Sequence, residues 1–249
     1  MPRSFSERYQ ASRDDPEAYW RAEAEELPWF SPPSAIVDER PDGLADYFSD
    51  GTTNTAYLAL DHQIELGRGD QTALIYDSPV THTIKHFSYR EVLAEVEQVA
   101  GALSLMGVGP GDRVIIYLPM VPEAAFAMLS CARIGAIHSV VFGGFSPQAL
   151  EDRILDADCN FVITANEGLR GGKIIPLKQN VDKALENCPN VKSVIVAKRT
   201  ENDVNWVDGR DFWYQEVTGA QMPSCPPEIM DSEDPLFILY TSGSTGKPK

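Results

Sequence analysis

The sequence has 249 residues, 43% of them hydrophobic and 23% charged, the composition of an ordinary globular chain long enough for a sizeable core. Its 37 acidic against 21 basic side chains leave a net charge of −16, which argues against a nucleic-acid groove, since phosphate backbones are held by clustered cations. No apolar run approaches the ~20 residues that a membrane helix needs, and the opening string MPRSFSERYQ lacks the apolar centre of a secretion signal.

In chain order, residues 1–50 predict an irregular cap with short helices, in which Tyr19, Trp20, Trp29 and Phe30 precede the breaker cluster SPPS at 31–34. Over 54–66, Ala56, Tyr57, Leu60 and Ile64 share one helical face. TALIY at 72–76 predicts a strand. Ser88 and Glu91 form a capping box for a helix through Val92, Val96, Val99, Leu103 and Met106, which Gly107 stops. RVIIYL at 113–118 predicts a buried strand, and Pro122 opens a helix. A strand at 137–142 leads to Ser146 and Pro147, cap and first turn of the next helix.

Further on, the pattern gives a strand at 161–164, a helix at 177–187 and a strand at 193–197. Strands alternating with helices of this length predict an α/β fold with a mostly parallel sheet. Residues 198–233 read as loop-rich, before a last apolar strand at 236–240. His138, alone in its strand, reads as a core residue rather than a base, and Asp156 and Asp158 as polar helix-end residues. Cys131, Cys159, Cys188 and Cys225 make no C-x-x-C pair and have no histidine at ligand spacing. They predict reduced thiols in a cytoplasmic protein and no metal site.

The strongest chemical signal is YTSGSTGKPK at 240–249. Two glycines permit a tight backbone, Thr241, Ser242, Ser244 and Thr245 supply hydroxyl donors, and Lys247 and Lys249 supply cations, which together suit a polyphosphate. It is not a Walker A loop: Gly243 and Gly246 are too close, and Pro248 stands where that motif needs a hydroxyl residue. SVVFGGFS at 139–146 ends a strand and opens a helix, with Gly143 and Gly144 allowing a ring or phosphate near the backbone. In TANEGLRGGK at 164–173, Arg170 and Lys173 flank Gly171 and Gly172, which suits a phosphomonoester. From the residues alone, Gly143–Gly144 fits a plain strand-to-helix turn equally well, and Arg170 and Lys173 fit solvated surface charges.

The loop at 240–249 resembles the phosphate loop of the adenylate-forming superfamily, and the other strings, with those at 120–125, 131–138 and 233–237, resemble its acetyl-CoA synthetases. The resemblance runs from about residue 5 onward. It implies a cap over 1–70 and part of an AMP-binding adenylation domain over 71–249. It further implies that Thr241, Ser242, Gly243, Ser244, Thr245, Gly246 and Lys247 close on ATP phosphates. Phe142, Gly143 and Gly144 would line the adenine of coenzyme A, and Arg170, Gly171, Gly172 and Lys173 would hold its 3′-phosphate. The family commonly has arginine where Lys173 stands, so a point charge replaces a fork.

The expected reaction joins acetate to coenzyme A with ATP and Mg²⁺, through acetyl-adenylate, releasing AMP and diphosphate. The segment IYDSPVT at 75–81 resembles propionyl-CoA synthetases instead, and a plain nucleotide-binding module is the alternative of another class. The expected partners are these small molecules, with no nucleic acid or membrane. Catalytic residues and the acyl pocket are expected beyond Lys249, so the 249 residues alone are expected to be an inactive, aggregation-prone piece of a longer chain.

Overall fold

The computed structural model describes residues 4–219 and 224–241. The chain divides into two compact units, one of residues 1–54 with 229–234 and the other of residues 55–228 with 235–249.

In the first unit, Ser4 and Glu7 form a capping box on α1 (Phe5–Asp14), and the Asp15 side chain caps α2 (Pro16–Ala24), with Pro16 in its first turn. The prolines at 32 and 33 then forbid helix. A short antiparallel hairpin follows, β1 (Val37–Glu39) with β2 (Ala45–Tyr47), and β3 (Thr52–Thr53) pairs with Met230–Asp231.

The second unit begins with a helical stretch that buries Ala56 and Leu60, as their spacing predicts, but winds in two wide π-type turns, Tyr57–Asp61 and Ile64–Arg68. Apolar residues four apart satisfy either winding, so the pattern does not distinguish them. The predicted strand is β4 (Thr72–Ser78). It pairs antiparallel with β5 (Thr83–Ser88), a strand not expected from the sequence, and the hairpin is a sheet of its own. Ser88 then caps α3 (Tyr89–Leu105), whose Val92, Val96, Val99 and Leu103 are buried, and Gly107 takes the left-handed φ of 90° that ends it.

The central sheet is built from β6 (Arg113–Tyr117), α4 (Pro122–Arg133), β7 (Ile137–Val140), α5 (Pro147–Asp156), β8 (Phe161–Ala165), the hairpin β9 (Gly168–Arg170) and β10 (Lys173–Ile175), α6 (Leu177–Leu185) and β11 (Ser193–Ala197). Its fifth strand, β12 (Asp211–Trp213), is followed by α7 (Tyr214–Gly219), so the region read as loop-rich supplies a sheet edge. All five strands are parallel, in the order β12-β11-β8-β6-β7. Numbered along the chain this is the doubly wound order 2-1-3-4-5, in which the winding reverses between β6 and β8. α3 packs with α4 and α7, and α5 with α6, so helices form two groups, as the near-continuous burial of β6, β8 and β11 requires.

Residues 236–240 do not form the regular strand expected. A single parallel bridge joins Phe237 to His138, with Ile238 N donating to His138 O at 2.9 Å, while Phe237 and Leu239 stay exposed. The Nδ1 of His138 has no hydrogen-bond partner among the described residues, and burial lowers the pKa, which keeps the ring neutral. Among the described residues no helix is long and apolar enough to cross a membrane. The four cysteines are free, and burial pushes the Cys131 thiol up to about 12 and the Cys159 and Cys188 thiols to about 11, well outside the reactive range.

A buried ionic cluster fastens β12 to α6. Lys178 Nζ lies 2.9 Å from Asp211 and 2.7 Å from Asp182, and Arg210 bridges the same two carboxylates. Burial pushes the Asp211 pKa up, but hydrogen bonds from Arg210 and Lys178 outweigh it and leave the carboxyl below its ordinary value. A depressed folded pKa gives stability that is present above the unfolded value, about 3.9, and lost as the pH falls through the folded one. Replacing Asp211 by Asn is therefore expected to lower stability by about 1.5–3 kcal/mol at pH 7. In denaturant melts the gap from the unsubstituted protein should narrow as the pH drops below about 4; a gap independent of pH would contradict this role.

Candidate coenzyme-binding cleft

The carboxyl ends of four parallel strands feed one cleft of about 400 Å³. Leu118 and Pro119 follow β6, Phe142 to Gly144 follow β7, Arg170 ends β9 in the hairpin after β8, and Arg199 follows β11. The centre lies beyond β6 and β8, at the reversal of the winding, where crossovers leave on opposite faces and open a crevice.

The geometry rests on small residues at two turns. A Cβ at Gly143 would lie 3.2 Å from the Leu118 carbonyl oxygen. One at Gly144 would lie 2.7 Å from a Phe142 ring carbon and 3.3 Å from Arg170 Nη1. The sequence was equally consistent with a plain turn here; a side chain at either position would force its neighbours to shift. Gly171 and Gly172 have φ of 55° and 74°, the pair of positive values that a two-residue hairpin turn demands. That turn sets Arg170 directly opposite Lys173 on one face of the hairpin.

The Arg170 guanidinium lies over the Phe142 ring at 4.9 Å, and Phe142 packs edge-on against Phe145 at 5.8 Å. Like charges directly opposite across strands repel, and an anion between Arg170 and Lys173 would relieve that. Arg170 lines the cleft; Lys173 is exposed beside it. Of the phosphate-loop residues, Thr241 is described and exposed, while Ser242, Gly243, Ser244, Thr245, Gly246 and Lys247 lie outside the described residues.

A family profile described as "AMP-binding enzyme" matches residues 60–249. The chain belongs to that family. A second profile, "Acetyl-coenzyme A synthetase N-terminus", matches residues 5–59. Among curated relatives, an acetyl-coenzyme A synthetase of Halorhodospira halophila is 55% identical over 98% of this chain, and acetyl-coenzyme A synthetase 2 of Pseudomonas putida is 54% identical over all of it. The chain spans 38% of the length of each. A solved acetoacetyl-CoA synthetase from Streptomyces lividans superposes on the whole chain with a TM-score of 0.88 at 27% identity, over 38% of its own length.

The chain also carries supports for this cleft that the sequence alone did not indicate. The buried Tyr117, in β6, donates from its hydroxyl to Phe145 O at 2.7 Å and accepts from Asn180 at 3.2 Å, which pins the glycine turn from below. Arg199 reaches the cleft with its Nε buried and without a hydrogen-bond partner among the described residues. A buried donor left unpaired is costly, and an anionic ligand would satisfy it. Neither residue belongs to a local motif, so the only sequence signal was position just inside or just after a predicted strand.

A second hollow of about 580 Å³ lies between Lys198, Glu201, Trp206 and Trp213. Those two tryptophans stack on each other with centroids 4.5 Å apart, and the lining mixes Glu201, Asp203 and Glu216 with Lys198 and Arg199.

Proposed function

We propose that the protein of which this chain spans the N-terminal share is an AMP-forming acetate–CoA ligase, converting ATP, acetate and coenzyme A to acetyl-CoA, AMP and diphosphate. The observation that carries this reading is the Arg170 guanidinium stacked on Phe142 above a side-chain-free Gly143–Gly144 turn, with Lys173 opposite and the Arg199 Nε buried without a hydrogen-bond partner among the described residues. This set fits a purine against the glycine turn and a phosphomonoester between the cations. Residues 1–70 would form the cap and residues 71–249 part of the adenylation domain.

In the first half-step an acetate oxygen attacks the α-phosphorus of ATP and diphosphate leaves. The loop from Thr241 to Lys247 would hold the leaving phosphates with hydroxyl, amide and ammonium donors. Mg²⁺ would enter as counter-ion to ATP, since among the described residues no group of three or more His, Cys, Asp or Glu is placed to hold a metal. In the second half-step the coenzyme A thiolate attacks the acyl carbon and AMP leaves. The chain's own part there is to fix the nucleotide end of coenzyme A.

Acetate is favoured over propionate by the relatives' names. The segment that resembles propionyl-CoA synthetases contributes Asp77, Ser78, Pro79 and Val80 to the coenzyme cleft, so it bears on that end of coenzyme A. A cytoplasmic location is proposed from the four free cysteines, which suit a reducing compartment.

Replacing Arg170 by Ala is expected to raise the KM for coenzyme A about tenfold to a hundredfold, the loss of one charge-assisted contact. Dephospho-CoA, which lacks the 3′-phosphate, should be unaffected by the change. Equal losses with both thiols in steady-state assays would contradict a 3′-phosphate role.

A further inference from the structure

Arg153 lies on α5 and is 7% exposed. Buried arginines are normally paired with carboxylates. Here no ion pair reaches it among the described residues; its Nη1 donates to Ala149 O in its own helix at 2.6 Å. Its charge is carried by two aromatic faces instead. The guanidinium lies 4.9 Å from the Phe145 ring centroid and 5.2 Å from that of Tyr240. Phe145 closes the glycine turn, its amide donating to Phe142 O at 2.9 Å, and Tyr240 is the residue before the phosphate loop. The Tyr240 hydroxyl donates to Asp156 at 2.6 Å, one helical turn beyond Arg153.

The contacts form one continuous ladder: Arg170 on Phe142, Phe142 on Phe145, then Arg153 between Phe145 and Tyr240, with Asp156 holding the far end. α5 thus touches both functional segments, one at its N-terminus and one along its body. A cation between two ring faces is attracted to both, and more strongly when water is excluded.

We propose that Arg153 is a positioning residue shared by the two nucleotide sites, aiming the phosphate loop through Tyr240 and the coenzyme turn through Phe145. The proposal rests on the ligase reading and deepens it. Methionine at 153 keeps bulk and removes the cation, so both ends should loosen together. Residues acting on one site alone would not give that double signature.

The test uses full-length protein and two readouts, acetate-dependent exchange of diphosphate into ATP and the KM for coenzyme A in the overall reaction. Arg153→Met is expected to slow exchange about tenfold and to raise the KM for coenzyme A severalfold, with Arg153→Lys restoring most of both because it keeps the charge between the rings. A folded Arg153→Met protein that loses neither, or only one, overturns the shared role. If that variant does not fold, Tyr240→Leu, which removes ring and hydroxyl, decides: slower exchange supports the anchor, and unchanged exchange overturns it. Absence of acetate-dependent exchange in the unsubstituted protein would sink the ligase reading instead. Calorimetric binding of ATP and coenzyme A to the same variants would then test the ladder by itself.

Discussion

Replacing Lys247 or Thr245 by Ala is expected to slow adenylate formation by about a hundredfold or more, while thioester formation from supplied acetyl-adenylate changes much less. Donors that touch only the departing diphosphate act where charge develops in the first half-step, and removal of one such pre-aimed donor costs roughly 10²- to 10³-fold in rate. By the second half-step those phosphates are gone. In sequence, Lys247 supplies a positive charge three residues after Ser244, and Thr245 a short hydroxyl between them, the residue types that a polyphosphate site needs. Isotope exchange between diphosphate and ATP measures the first half-step without coenzyme A. Exchange at the unsubstituted rate in both variants would remove these residues from the phosphate site.

The second large effect expected is on stability. Arg133 ends α4 and is 2% exposed. Its guanidinium meets Asp61 through two nitrogens, at 2.7 and 3.0 Å, and Glu97 at 3.3 Å, while its Nε donates to Cys225 O at 2.5 Å. Its own carbonyl accepts from Glu228 N at 2.7 Å. One residue therefore joins α4 to the π-type turn at Asp61, to α3 and to the segment around 225–228. Arg133→Met would leave both acids and the carbonyl facing an apolar group, and breaking a buried pair from one side costs about 3–5 kcal/mol. For a unit of this size each kcal/mol lowers Tm by about 2–4 °C, so a fall of roughly 10 °C is expected. Lysine at 133 keeps the charge without the fork and should recover only part of it. Calorimetry on the two variants checks this, and a Met variant within about 2 °C of the unsubstituted protein would show that the cluster contributes little beyond packing.

Local signals carried much of the fold. Ser88 with Glu91 and Ser146 with Pro147 predict helix starts that the structure places at those residues, because a cap needs only a side chain and the amides two or three residues on. The alternation of buried strands with helices predicts the parallel sheet, since strands covered on both faces must read as apolar runs. What failed locally failed for a physical reason. β5, THTIKHFS in its surroundings, exposes Thr83, Ile84, Lys85 and His86 and so shows little contrast between its faces. β12 has three residues and depends on β11 beside it and on the Lys178–Asp211 pair beneath. The apolar run at 236–240 makes one bridge, because its strength as a strand depends on neighbours rather than on its own residues.

The sequence by itself determined the family, the phosphate-loop string and the two glycine pairs, since each is written in contiguous residues, and Gly171 and Gly172 also take the φ that only glycine takes easily. It left open whether Gly143, Gly144 and Arg170 formed a site at all. Only the tertiary structure brings them together, through the crossover order that carries the ends of β6, β7, β8 and β11 to one cleft. The same order put Tyr117 beneath the glycine turn, Arg199 at its rim and Arg153 between Phe145 and Tyr240, residues up to 123 apart in the chain. Side chains so distant in sequence share no local pattern. Their meeting depends on the winding reversal between β6 and β8, a property of how strands are ordered and not of any segment alone.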